Sequence, residues 1–216
     1  MSLADAAAAA QATRAAPSPL EQLWLRAALR TAATGRLTDP PVTDLRRLTG
    51  PATAWQGIIR WPISAIQDRI DRLVDCHRLA IAYDDPGWLD QLDAAWTAAP
   101  VDIDELWPLR GRGEIRLARV GIPGWQPGEV ELLIEESFLV PANPADRAWL
   151  ALAEGDAAAA AEHLAAYEAL LADLARGWAA APDEGIRQIC AHPETVLRVQ
   201  ARALRVLVAR VTGPRR

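Results

Sequence analysis

Apolar positions recur with a helical period over most of the chain, which predicts helices more often than strands. Leu20, Leu23, Trp24, Ala27 and Ala28 form the first such stripe. Ser18-Pro19-Leu20-Glu21 opens it as a capping box with proline at the first helical position, and Gly35 closes it. Thr43–Leu48 predicts a short helix, and Pro51 opens a short segment holding Trp55, Ile58 and Ile59. Ser64-Ala65-Ile66-Gln67 is a second capping box. It starts a helix to about Arg78 with Ile66, Ile70, Leu73, Val74 and His77 on one face. Leu79–Tyr83 follows as a predicted strand, and Asp85-Pro86 caps a helix to about Trp96.

The pattern then changes from helical to alternating. Glu114–Val120 and Val130–Ile134 predict two short strands around the Gly/Pro-rich loop 121–128, a β-hairpin. Asn143-Pro144 caps a helix that ends at Gly155, and Asp156 caps a longer one to about Trp178. Pro182-Asp183 breaks the pattern, and Pro193 opens a last helix to about Val211. The expected fold is mainly α with a few short strands. It comprises a winged-helix-like N-terminal part, a β-hairpin and a C-terminal helical bundle. Residues 1–17 read as a flexible tail, 18–98 as a helical module and 114–216 as hairpin plus helices, with the boundary near 98–113. The two modules could equally form one domain.

Composition sharpens this picture. The chain has 216 residues, 51% of them hydrophobic and 24% charged, which suits a globular fold. With 45 alanines and 27 leucines the composition favours helix. All 23 basic residues are arginine. That excludes Schiff-base chemistry and the lysine of a phosphate-binding loop. A net charge of −5 argues against a globally basic nucleic-acid binder. Only two cysteines are present, no stretch is apolar enough to span a membrane, and the N-terminus lacks a signal-peptide pattern. The expectation is a cytoplasmic, bacterial-type protein.

Three segments resemble known families. The order of elements over Leu20–Tyr83, and the run Pro62–Leu79 in particular, resembles a winged helix-turn-helix. That resemblance implies a recognition helix at Ser64–Arg78, a wing at Ala80–Asp85, and nucleic-acid contacts from Ser64, Gln67, Arg69 and Arg72. Asp68, Asp71 and Asp75 on the same helix would face phosphates and oppose that use. An acidic winged helix fits protein docking better. Asp146–Tyr167, with Trp149, Leu150, Leu152, Gly155, Asp156, Ala159 and Leu164, resembles one tetratricopeptide-type hairpin, a peptide-binding and scaffolding unit. One unit alone reads more plainly as an antiparallel helical hairpin. Asn143-Pro144-Ala145-Asp146-Arg147 is similar to the Glu-Pro-x-Asp-His pattern of redox-enzyme maturation chaperones, with Asn for Glu and Arg for His. An asparagine cap followed by proline explains the same residues.

Catalytic and metal chemistry find little footing. No nucleophile elbow, phosphate loop, His-Glu-x-x-His or dinucleotide turn occurs in the sequence. Cys76-His77 and Cys190-Ala191-His192 offer four zinc ligands, but helical neighbours point about 100° apart and converge poorly. No metal or cofactor is expected. Two features suit docking instead. Trp125 sits in the hairpin loop, and Arg198, Arg202 and Arg205 form a basic stripe beside Leu197, Ala201, Leu204, Val208 and Val211. The same stripe could pair with the acidic middle of the chain. The expected function is a non-enzymatic adaptor or accessory subunit that binds another protein. The alternatives are a winged-helix DNA-binding regulator and a maturation-chaperone-like helical protein.

Overall fold

The computed structural model describes residues 19–34, 39–55, 63–100, 113, 115–122 and 142–213. Eight helices are defined within them: α1 (Pro19–Ala33), α2 (Asp39–Leu48), α3 (Pro51–Ala54), α4 (Ile63–Ala82), α5 (Pro86–Thr97), α6 (Pro144–Glu154), α7 (Ala157–Ala179) and α8 (Glu184–Thr212). Side-chain caps start four of them. Asp85 accepts from Trp88 N, Asn143 from Ala145 N, Asp156 from Ala159 N, and Asp183 from Gly185 N and Ile186 N.

No strand occurs among the described residues, which corrects three expectations. Residues 79–82 continue α4 instead of forming a wing strand. Leu79, Ala80, Ile81 and Ala82 are all buried, so several helices cover them and no two-faced strand pattern applies. The winged-helix architecture therefore does not hold. Residues 115–118 are a helical turn, not the first strand of a hairpin. Ile115, Leu117 and Ala118 all face the core, which an alternating strand could not achieve. The second expected strand, Val130–Ile134, lies outside the described residues.

Helix α8 begins nine residues before the predicted start at Pro193 and runs through that proline. Proline removes one backbone donor from a helix. Pro193 itself is exposed, so solvent can serve the freed carbonyl. Thr195 Oγ1 also returns a bond to Ala191 O at 2.7 Å. The Asp183 cap sets the true start.

Two turns are fixed by left-handed residues. At Gly155 (φ 80°), Asp156 N reaches Ala151 O at 2.8 Å and Gly155 N reaches Leu152 O at 3.1 Å. This closes α6 and lets Asp156 cap α7 at once. Asp84 (φ 54°) plays the same part between α4 and α5. Gly121 (φ 77°) lets residues 115–122 approach α8 closely, since a Cβ there would lie 2.9 Å from Arg210 Cβ.

The helices share one apolar core. Helix α8 packs on α1, α4, α6 and α7, while α5 packs on α3 and α4. Tryptophans fill the second group, and the three buried indole N–H groups there each have an acceptor. Trp88 donates to Thr49 Oγ1 (3.0 Å), Trp55 to Ala95 O (2.6 Å) and Trp96 to His77 Nε2 (2.8 Å). The Trp55 and Trp96 rings meet edge to face at 5.5 Å.

His77 is buried and must keep Nε2 unprotonated to accept from Trp96. Burial, and secondarily the Arg78 charge, push its pKa down to about 3. An unfolded histidine takes up a proton near pH 6.5. Stability therefore falls as pH drops below about 6.5, because the unfolded chain binds the proton first. His77→Gln, which still offers an acceptor, is expected to remove about 2 kcal/mol of the stability lost between about pH 7.5 and 5. Urea unfolding at both pH values checks this. An unchanged pH dependence would contradict it.

Candidate functional site

The basic stripe of α8 is engaged within the chain. Arg198 pairs with Glu194 on its own helix at 2.7 Å. Arg205 pairs with Glu168 on α7. Arg202 is half-buried and donates to Ala32 O at 3.0 Å and Ala82 O at 3.1 Å. Those carbonyls lie in the last turns of α1 and α4, where unpaired acceptors and the negative ends of two helix dipoles converge. Arg210 pairs with Asp84 and reaches Ala118 O at 3.3 Å. Arg202 and Arg205 thus bind α8 to α1, α4 and α7, and Arg210 adds the α4–α5 turn and residues 115–122.

The nucleic-acid candidates are distributed differently from the expectation. Ser64 and Gln67 lie in α4, with side chains outside the described set. Arg69 and Arg72 are buried, at 6% and 3% exposure, whereas Asp68 and Asp71 face solvent. Among the described side chains of α4, the two fully exposed ones are both acidic. Trp125 lies outside the described residues. Asn143 acts as the cap of α6, with Ala145 N at 3.0 Å.

A small cleft of about 320 Å³ lies between α2 and the α4–α5 turn, lined by Val42, Thr43, Arg46, Tyr83, Asp84, Asp85 and Pro86. Its charges serve the fold. Asp85 caps α5 and pairs with Arg46 at 3.0 Å, and Asp84 pairs with Arg210. Among the described residues no group of three or more His, Cys, Asp or Glu could hold a metal ion. Cys76 is buried, and burial pushes its thiol pKa up, so it stays protonated.

The feature absent from the sequence reading is apolar. Five large hydrophobic side chains are exposed among the described residues, and four of them lie near the turn that joins α7 to α8. They are Leu170 (43%), Leu174 (37%), Ile186 (48%) and Ile189 (75%). Spacings of four and three residues put each pair on one helix face. In α7 the stripe Ala160, Leu164, Tyr167 and Leu171 is buried. In α8 the buried apolar positions are Val199, Ala201, Ala203, Leu204 and Leu207. At 100° per residue, Leu174 and both isoleucines fall on or beside these stripes, and Leu170 flanks them. Leu174, Ile186 and Ile189 therefore continue the buried stripes towards the closed end, where they are exposed, and Leu170 lies to one side.

Tyr167, one turn before the last buried residue of the α7 stripe, ties the two helices together. Its hydroxyl lies 3.2 Å from Leu197 O and 3.2 Å from Gln200 Oε1, bridging α7 to α8. Burial pushes its pKa up to about 12, so the phenol stays neutral. Comparison of the chain with family models, curated proteins and solved structures finds no match.

Arg202→Met is expected to destabilise the protein by about 2–3 kcal/mol, because it strips two partly buried carbonyls of a charged donor. Arg198→Met, which breaks only an exposed pair within one helix, should change stability by less than about 0.5 kcal/mol. Thermal or urea unfolding of the two variants measures the difference. Equal effects would contradict the structural role of Arg202.

Proposed function

We propose that this protein is a cytoplasmic, non-catalytic adaptor or accessory subunit that works by binding another polypeptide. Its docking surface is the closed end of the α7–α8 hairpin. The observation that carries this reading is the exposed apolar set Leu170, Leu174, Ile186 and Ile189, in phase with or flanking a stripe that is buried elsewhere. Contiguous exposed apolar faces on soluble domains commonly mark interaction sites.

The engagement of Arg202, Arg205 and Arg210 with the chain itself also supports placing the contact at the apolar end instead of on the basic stripe. No helix among the described residues is long and apolar enough to cross a membrane.

The test is affinity capture of the tagged protein from its own host, after nuclease treatment, with bound chains identified by mass spectrometry. Capture of a stoichiometric polypeptide is expected for wild type and for Arg198→Gln. It should fall at least tenfold for Ile186→Asp/Ile189→Asp, with unchanged circular dichroism. Capture that survives the double substitution would contradict the assignment of this face.

A further inference from the structure

Helix α8 carries two start signals. The first is Asp183, whose side chain accepts from Gly185 N and Ile186 N. The second is Pro193, which lies inside the helix. Proline is favoured at the first position of a helix and disfavoured in its interior. There it lacks a donor, and its ring crowds the carbonyl four residues back, here that of Ile189. Glu194 comes next, and Arg198 pairs with it at 2.7 Å. An acidic residue in the first turn and an ion pair four residues apart both suit a helix that begins at Pro193.

The two signals divide α8 into unequal parts. In the outer part, residues 184–192, no described side chain is buried. Its side-chain bonds tie it to itself and to the turn before it: Arg187 to Glu184 and Ala181 O, and Gln188 to Glu184. The inner part places Val199, Ala201, Ala203, Leu204 and Leu207 in the core and donates from Arg202 to Ala32 O and Ala82 O. Helix α7 has its boundary at the same height. Leu171 and residue 192 each lie eight residues from the joined ends at Ala179 and Glu184, so the antiparallel pair brings them about level. Leu171 is the last buried residue of α7. Burial therefore ends on both helices beside Pro193. The nine residues of the outer part are fewer than the roughly 12 that an isolated helix needs in water.

We infer that α8 exchanges between these two starts. The long form begins at the Asp183 cap. The short form begins at Pro193, with residues 184–192 open and the stem unchanged. Opening removes no buried side chain from the core. It stops at Pro193, because the same proline that is disfavoured inside the long form is well placed as the first residue of the short one. Ile186 and Ile189 share a helix face only in the long form, so the exchange sets how much of the time the apolar end is assembled. The exchange itself rests on α8 alone and needs no occupant at that end.

Hydrogen exchange on the full chain, resolved residue by residue with NMR, tests this. In the long form Arg187 N bonds to Asp183 O, and the ladder continues from there. In the short form amides 194–196 lose their acceptors at 190–192, whereas Leu197 N keeps the carbonyl of Pro193. Amides 187–192 and 194–196 should therefore share one opening and exchange roughly 100-fold or more faster than 199–207. Protection should step up at Leu197. In Pro193→Ala the step should vanish: protection climbs gradually from Arg187 inward, and amides 194–196 slow roughly tenfold or more. The melting temperature of this variant should stay at or above that of wild type, since Pro193 is exposed and alanine favours helix. A smooth gradient in wild type, or a step that persists in Pro193→Ala, overturns the inference and leaves the docking face standing. Equal protection throughout α8 overturns both.

Discussion

One helix sets the dimensions of this molecule. Helix α8 is apolar along one side over nearly its whole length, and any apolar stripe in water must be covered to be stable. Its C-terminal half meets that condition against α1, α4, α6 and α7. The N-terminal half, with Ile186 and Ile189, does not meet it within the described chain. The fold and the proposed docking face follow from the same stripe, divided beyond Leu171 in α7 and before Val199 in α8.

Polar groups hold the covered half in register. Arg202 reaches the C-terminal carbonyls of α1 and α4 together, so three helices meet at one guanidinium. Arg's planar fork with several donors suits this task better than a single ammonium would. In the other half of the body, Trp55, Trp88 and Trp96 combine large buried area with an N–H that must find an acceptor. The acceptors are Ala95 O, Thr49 Oγ1 and His77 Nε2, which fix how α5 sits against α3 and α4. An alanine-rich core needs such large members to avoid voids.

Much of the helical framework was legible in the sequence. The caps at Asp85, Asn143 and Asp156 and the stop at Gly155 announce their helices, because capping chemistry is local. The errors occur where tertiary burial overrides local pattern. Leu79–Ala82 reads as a strand because four buried residues in a row hide the helical period. Pro193 reads as a helix start because proline prefers that position, yet Asp183 had already capped the helix. That single misplacement left Ile186 and Ile189 outside any helix and concealed the candidate face. The basic stripe was visible, but its role depended on which carbonyls lie opposite Arg202, and residues 32 and 82 are far from it in sequence.

The most direct measurement is hydrogen exchange on the dilute protein, resolved along the α7–α8 hairpin. The account predicts slow exchange in the stem, over residues 160–171 and 199–207, at rates near those of global unfolding. Residues 172–192 should exchange far faster through local opening, because no packed neighbour holds them at that concentration. Uniform protection from stem to closed end in dilute solution would show that the chain covers this face itself, and the docking role would fall with it.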